Sequence, residues 1–216
     1  MSRDGWFRRT TWSPADRAEF FSRLKRTRSR GNQAQYLRIQ AGHLAGTSVE
    51  TLVRAGLELL DHMLQEYPDS STELAAAHHQ RGVCLAQLGE YVRAIDAYRR
   101  ALEVQRVHPH ALTTAHTAFA ELAVTLNRRD LFPEALTVLE EFSRVDVFPI
   151  HIFKREAAHA LIAADGGEME AARSHARRAL AAASATESGF RYHVKVGLVG
   201  FVDPRLVERI RQLSDA

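Results

Sequence analysis

The strongest constraint in this 216-residue chain is the stretch from about residue 32 to 185. There, one helix-length apolar–polar segment follows another, without strand-like alternation. The segments fall at 32–46, 49–66, 72–88, 91–106, 110–127, 132–145, 149–164 and 168–185. The breaks lie at Gly46, Pro68, Gly89, Pro109, Pro149 and Gly166-Gly167, residue types that end helices. Eight such segments with short connections predict antiparallel helix pairs. Only 12 glycines and 6 prolines are present, which argues against a turn-rich all-β fold.

The pairs resemble one another. In residues 75–108 the first helix carries Gly82 and Leu85, the turn reads Leu88-Gly89-Glu90-Tyr91, and the second helix carries Ala94, Tyr98 and Ala101. Ala or Gly at a crossing lets two helix backbones approach closely, and the larger apolar residues fill the space beside it. The run GEYVRAIDAYRRALEV resembles a tetratricopeptide repeat (TPR). Two further units fit less fully: Phe119, Leu122, Ala123 and Leu126 followed by Phe132, Ala135 and Leu139, and then Ala160, Gly167, Ala172 and Ala179. The pivotal alanines Ala94, Ala135 and Ala172 are 41 and 37 residues apart, against a family period of about 34. Residues 34–67 form a degenerate first unit, with Ala41, Leu44, Ala55 and Leu59 in matching places. The resemblance implies an all-α fold: a right-handed superhelical array (α-solenoid) of three to four antiparallel helix pairs. Each pair buries its face against its neighbours.

Both ends differ from this body. Residues 1–31 form a basic segment with a capping helix. Ser13 is placed to cap it, Pro14 suits its first position and Asp16 sits three residues after the cap. Residues 1–40 hold ten Lys/Arg against three acids, a net of +7, and the remainder nets −4, so the overall +3 is a basic head on a mildly acidic body. After the repeat domain at 32–185, residues 186–216 read as an extended arm and a short helix. Phe190 to Val196 alternates apolar and polar, and Asp203-Pro204 starts a helix with Leu206, Val207, Ile210 and Leu213 on one side.

No nucleophile elbow, phosphate loop or zinc-protease motif occurs. Glu156-Ala-Ala-His159 has the Glu-x-x-His spacing of helical di-iron sites, but those need the motif twice. Among eleven histidines, the clusters His78-His79 and His108-Pro109-His110 read as solvated or core residues. The lone Cys84, in an apolar helix, reads as a buried structural thiol. No cofactor, no metal and no catalytic activity are expected. The start MSRDGWFRRTTW lacks the apolar core of a signal peptide, and no stretch approaches the roughly 18 apolar residues of a membrane span. The expected location is cytoplasmic.

The resemblance implies a protein–protein interaction module, an adaptor, scaffold or regulatory subunit, that holds a peptide or protein partner along the first helices of the pairs. The matching places are Gln35 and Arg38, then His79, Val83 and Gln87, then Thr117, Val124, Asn127 and Arg128, and finally Lys154, Leu161 and Asp165. Arg38, Arg128 and Lys154 would make this groove cationic and suit an acidic peptide. The carboxylate-clamping set of some relatives is incomplete, because Val83 and Val124 stand where asparagines would be needed. The alternative is a nucleic-acid-binding regulator. It would use Arg8, Arg9, Arg23, Lys25, Arg26, Arg28 and Arg30 on phosphates, with Trp6, Phe7 and Trp12 to stack bases.

Overall fold

The computed structural model describes residues 5–200 and 202–216. Arg3 and Asp4 of the basic head, and Phe201 of the C-terminal segment, lie outside the described residues. Among the described residues there are ten α-helices and no strand. They are α1 (Pro14–Arg26), α2 (Arg30–Ala45), α3 (Glu50–Glu66), α4 (Ser71–Gln87), α5 (Tyr91–Val107), α6 (Ala115–Thr125), α7 (Phe132–Glu141), α8 (Pro149–Asp165), α9 (Met169–Ala183) and α10 (Pro204–Asp215). The helices divide into two compact units, one ending at Ala115 and the other beginning at His116.

In the first unit α2 packs on α3 and α4 on α5, and the two pairs join through α2–α4 and α3–α4 contacts. The core is built on small residues at the crossings. A side-chain carbon added to Gly82 would lie 2.4 Å from the Tyr98 ring, so only glycine lets α4 and α5 approach this closely. In the α2/α3 pair the closest approach falls at Gly56, where an added carbon would meet the Ala41 carbonyl oxygen at 2.9 Å. The sequence pointed to Ala55, one residue away, which is only half-buried. Ala94, Ala97 and Ala101 are fully buried in α5.

The start of α1 follows its sequence signals. The Ser13 hydroxyl accepts from the Asp16 backbone N–H, and the Asp16 carboxylate accepts from the Ser13 N–H at 2.9 Å. That backbone donor, joined by the Ser13 hydroxyl, holds the Asp16 carboxyl down at about 2. Trp6, Phe7, Trp12, Phe20 and Tyr36 form one aromatic cluster between the 3-10 turn at Gly5–Phe7, α1 and α2.

In the second unit α8 packs on α9, and α10 lies against both. Phe153, Ala157, Ala160 and Leu161 of α8 and Ala176 and Ala179 of α9 form its core, which Ile210 of α10 completes. The pivotal Ala135 and Ala172 are fully buried, as Ala94 is in the first unit.

Three connections share one hydrogen-bonding pattern. In the α4–α5 turn, Leu88 N donates to Cys84 O, Gly89 N to Ala86 O and Glu90 N to Leu85 O. After α6, Leu126 N donates to Leu122 O, Asn127 N to Val124 O and Arg128 N to Ala123 O. After α8, Gly166 N donates to Ile162 O, Gly167 N to Ala164 O and Glu168 N to Ala163 O. Gly89, Asn127 and Gly167 all have left-handed backbone, with φ of +76°, +51° and +77°. This is a helix stop in which the residue after the C-cap turns left-handed and the next N–H reaches back five residues. It recurs at 89, 127 and 167, after the first helix of each of three pairs. The α2–α3 connection also has a left-handed residue, Ser48 at +57°, but with different bonds.

Two segments differ from the sequence reading. The helix expected at 110–127 begins only at Ala115, because Gln105 Oε1 accepts from the Thr113 backbone N–H and its hydroxyl, both at 2.9 Å, and holds 108–114 as a turn. The arm, expected to be extended, is folded into turns over 191–197. The Ser188 N–H donates to Val194 O and its hydroxyl to His193 O, and Gly189 and Gly197 have left-handed backbone. Gly197 lies flat against the Phe148 ring and its carbonyl accepts from Ile150 N, so the segment is anchored at the start of α8.

Candidate functional site

The residues matched to the groove lie on the first helices, except Asn127 and Arg128, which follow α6, and their surroundings differ from the cationic groove expected. In the first unit Gln35 and Arg38 stand on α2, and His79, Val83 and Gln87 on α4. Gln35, Arg38, His79 and Val83 are half-buried and Gln87 is exposed. Arg38 donates to the Glu73 carboxylate across the α2–α4 contact, where both side chains are largely covered. His79 lies with its ring centre 6.0 Å from that of Tyr98.

In the second unit, Lys154 of α8 donates to Glu121 of α6 at 2.8 Å. Arg128 is paired with Asp130, and Arg129 with Asp165. Each of the three cations expected to line the groove therefore has a carboxylate partner. The Arg38–Glu73, Glu121–Lys154 and Arg129–Asp165 pairs join residues 35, 33 and 36 positions apart, close to one repeat. They join residues of successive pairs; Arg38–Glu73 is largely covered, whereas Arg129 is mostly exposed and its pair has the modest strength usual there.

Three of the matched residues are occupied by structure. Asn127 lies in the turn after α6, where its left-handed backbone ends the helix. Thr117 is buried, and Leu161, 4% exposed, belongs to the α8–α9–α10 core. Val124, Lys154 and Leu161 line a pocket of about 30 Å³ together with Glu121, Ala157, Ala158 and Leu206. Leu206 comes from α10, which packs mainly on α9 and also reaches α8.

Five of the seven cations read as a basic patch are likewise engaged. Arg9 is bound by Asp16 and Glu19, and Arg23 by Glu19. Arg30 donates to Glu66 O at 2.6 Å and covers the Tyr67 ring. Arg26 bonds Ser22, and Arg8 lies over Phe7. Lys25 and Arg28 are exposed. Phe7 is buried, and Trp6 and Trp12 are half-buried in the aromatic cluster.

Sequence reasoning missed an ionic network in the second unit. His116 Nε2 lies 3.0 Å from Asp146 Oδ1, and Arg155 bridges Asp146 and Glu156. Glu156 also receives Arg178 at 2.7 Å and His175 Nδ1 at 2.8 Å. Burial alone would raise the Glu156 carboxyl, but bonds from Arg178, His175 and Arg155 outweigh it and hold it low. His159 stacks on His175 with ring centres 4.6 Å apart. The Glu156-x-x-His159 spacing thus serves a guanidinium–imidazole network. Among the described residues no group of three or more His, Cys, Asp or Glu is placed to hold a metal ion. Spacing along the chain gave no signal for this network, because its members come from α6, α8, α9 and the loop before α8.

Cys84 is buried, and burial pushes its thiol up to about 11, as an inert structural cysteine requires. Among the described residues no helix is long and apolar enough to cross a membrane.

Residues 75–106 match the family model of the tetratricopeptide repeat. Comparison with curated proteins and with solved structures gives no significant match. The matched span is the α4/α5 pair, which contains the Gly82–Tyr98 crossing and the Gly89 helix stop. The chain carries a tetratricopeptide repeat there and, with its consecutive packed helix pairs, is consistent with a tetratricopeptide-repeat protein.

Proposed function

We propose that this protein is an adaptor or regulatory subunit that holds a protein partner on the first-helix face of its α2 and α4. The observation that carries this reading is the tetratricopeptide match at 75–106, on a pair stacked against α2/α3. The repeat implies a protein–protein interaction module in general, and such proteins are generally non-catalytic. Gln35, His79, Val83 and Gln87 supply a mixed polar and apolar surface there, suited to a segment that offers backbone amides and small apolar side chains. The pairing of Arg38 with Glu73 removes the main reason to require an acidic partner.

The test is co-purification from the native cell. Gln35→Arg with Gln87→Arg should release a partner that the unaltered chain retains, with the melting temperature unchanged. Retention by the double variant would show that the α2/α4 face is not the binding surface. The nucleic-acid alternative has weaker support, because Trp6, Phe7 and Trp12 pack on one another and on Phe20 and Tyr36. It predicts binding to RNA or DNA that falls steeply as salt rises.

A further inference from the structure

The segment from Phe190 to Val196 concentrates apolar surface that the fold leaves in water. Tyr192 is 81% exposed, and Phe190, Val194 and Val196 are 44%, 40% and 49% exposed. Elsewhere among the described residues, no stretch of this length holds more than two large apolar side chains so exposed. Arg191, His193 and Lys195 stand between them and are exposed as well. In a strand, this alternation would put the apolar and the cationic side chains on opposite faces. Folded into turns, the segment shows both sets to solvent together.

The backbone holds this display in place. Buried Ser188 pins it: its N–H donates to Val194 O at 2.8 Å and its hydroxyl to His193 O at 2.9 Å. His193 N donates to Phe190 O, Val196 N to His193 O, and Ile150 N to Gly197 O. Phe190 stacks on Phe148 with ring centres 5.0 Å apart. With these carbonyls engaged, the loop offers side chains for recognition and no free strand edge. Its charge is one-sided, because the sequence from Ser188 to Val202 contains no acidic residue. Among the described residues, Arg191 and Lys195 have no carboxylate partner, unlike Arg38, Arg128 and Lys154.

We propose that the 190–196 loop is a contact site for an anionic lipid bilayer surface, which it reaches without a spanning helix. Three observations favour a bilayer over other anionic partners. Val194 and Val196 have no π-face to offer a base, and both rings are already engaged, Phe190 by Phe148 and Tyr192 by the Arg191 guanidinium 5.4 Å from its centre. The unbroken exposed run 189–196 forms a protruding surface, which a protein would have to match with a cleft and a bilayer accepts as it is. The residue types also divide by depth. Valine and phenylalanine suit the acyl boundary, the tyrosine hydroxyl suits the headgroup level, and Arg191 and Lys195 reach phosphates along their alkyl stems. Each such cation gains about fivefold in affinity near an anionic leaflet. The loop contact goes beyond the α2/α4 reading and does not depend on it.

The test is flotation of the full-length chain with pure phosphatidylcholine vesicles and with mixed phosphatidylcholine–phosphatidylglycerol vesicles at low salt. The chain should bind the mixed vesicles at least about tenfold more tightly, and binding should weaken as salt rises. Arg191→Ser with Lys195→Ser should weaken it about 30-fold, and Tyr192→Asp with Val194→Asp should abolish it. All four side chains are exposed, so both variants should keep the parental urea midpoint. Failure of the unaltered chain to bind mixed vesicles overturns the proposal. So does parental affinity in either variant, which would assign the contact to the basic head. Because Cys84 is buried, an environment-sensitive dye on Val194→Cys reports on the loop alone. Its emission should shift to the blue on mixed vesicles. An unshifted dye on a bound chain overturns the proposal, and so does a shift produced by single-stranded RNA or polyglutamate but not by vesicles.

Discussion

At the scale of single residues, Asn127 shows how one side chain can be read in two ways. Taken along the sequence, it extends the apolar rhythm of 110–127 and stands where a groove asparagine is wanted. In the fold it occupies the left-handed position that Gly89 and Gly167 occupy in the neighbouring repeats. Asparagine is among the few residues that tolerate this backbone, because its short amide bonds locally, whereas a β-branched side chain clashes there. Asn127→Gly should therefore leave the urea midpoint essentially unchanged, while Asn127→Val should cost about 1–2 kcal/mol. An equal, small loss from both substitutions would mean that the amide acts as a surface group and not as a helix stop. Leu161 teaches the same lesson from the other side. Its apolar side chain fits either a groove or a core, and in the fold it belongs to the cluster with Phe153, Ala176, Ala179 and Ile210.

At the scale of elements, most of the helices were legible in the sequence. Breakers end them where Gly46, Gly89 and Gly166-Gly167 stand, and Ser13 and Asp203 cap the helices they precede. The Gly82–Tyr98 crossing was legible because glycine opposite a tyrosine is a strong pattern. What escaped was set by short-range side-chain bonds and left-handed backbone that hydrophobic periodicity does not encode. Gln105 reaching Thr113 delays α6, and the Ser188 bonds, with left-handed Gly189 and Gly197, turn the 190–196 alternation on itself. Period-two patterning specifies a strand only where another strand supplies the ladder, and among the described residues none does. The candidate site was less legible than the fold. The repeat match locates one helix pair, while ion pairs one repeat apart engage the cations that the sequence placed in a groove.

At the scale of the whole molecule, half-buried imidazoles shape the response to pH. Burial, as the largest cause, lowers the pKa of His78, His151 and His159 below the ordinary 6.5. Their folded values lie below their unfolded ones, so the unfolded chain binds more protons as pH falls under about 6.5. Stability from these groups is fully present above that pH and is lost on acidification. Asp16 and Glu156 stay ionised to lower pH, because their carboxyls are held down. The urea midpoint should thus fall between pH 7.5 and 5.5, and His159→Gln should flatten that slope. A midpoint that rises over this interval would contradict the account.

The central claim is that the first-helix face of α2 and α4 binds the partner, and hydrogen–deuterium exchange of the complex with the co-purified partner tests it most directly. Binding should slow exchange in residues 33–40 and 76–87 and leave α3 and α5 unchanged. Protection confined to α3 and α5, or to residues 14–30 of the basic head, would contradict it.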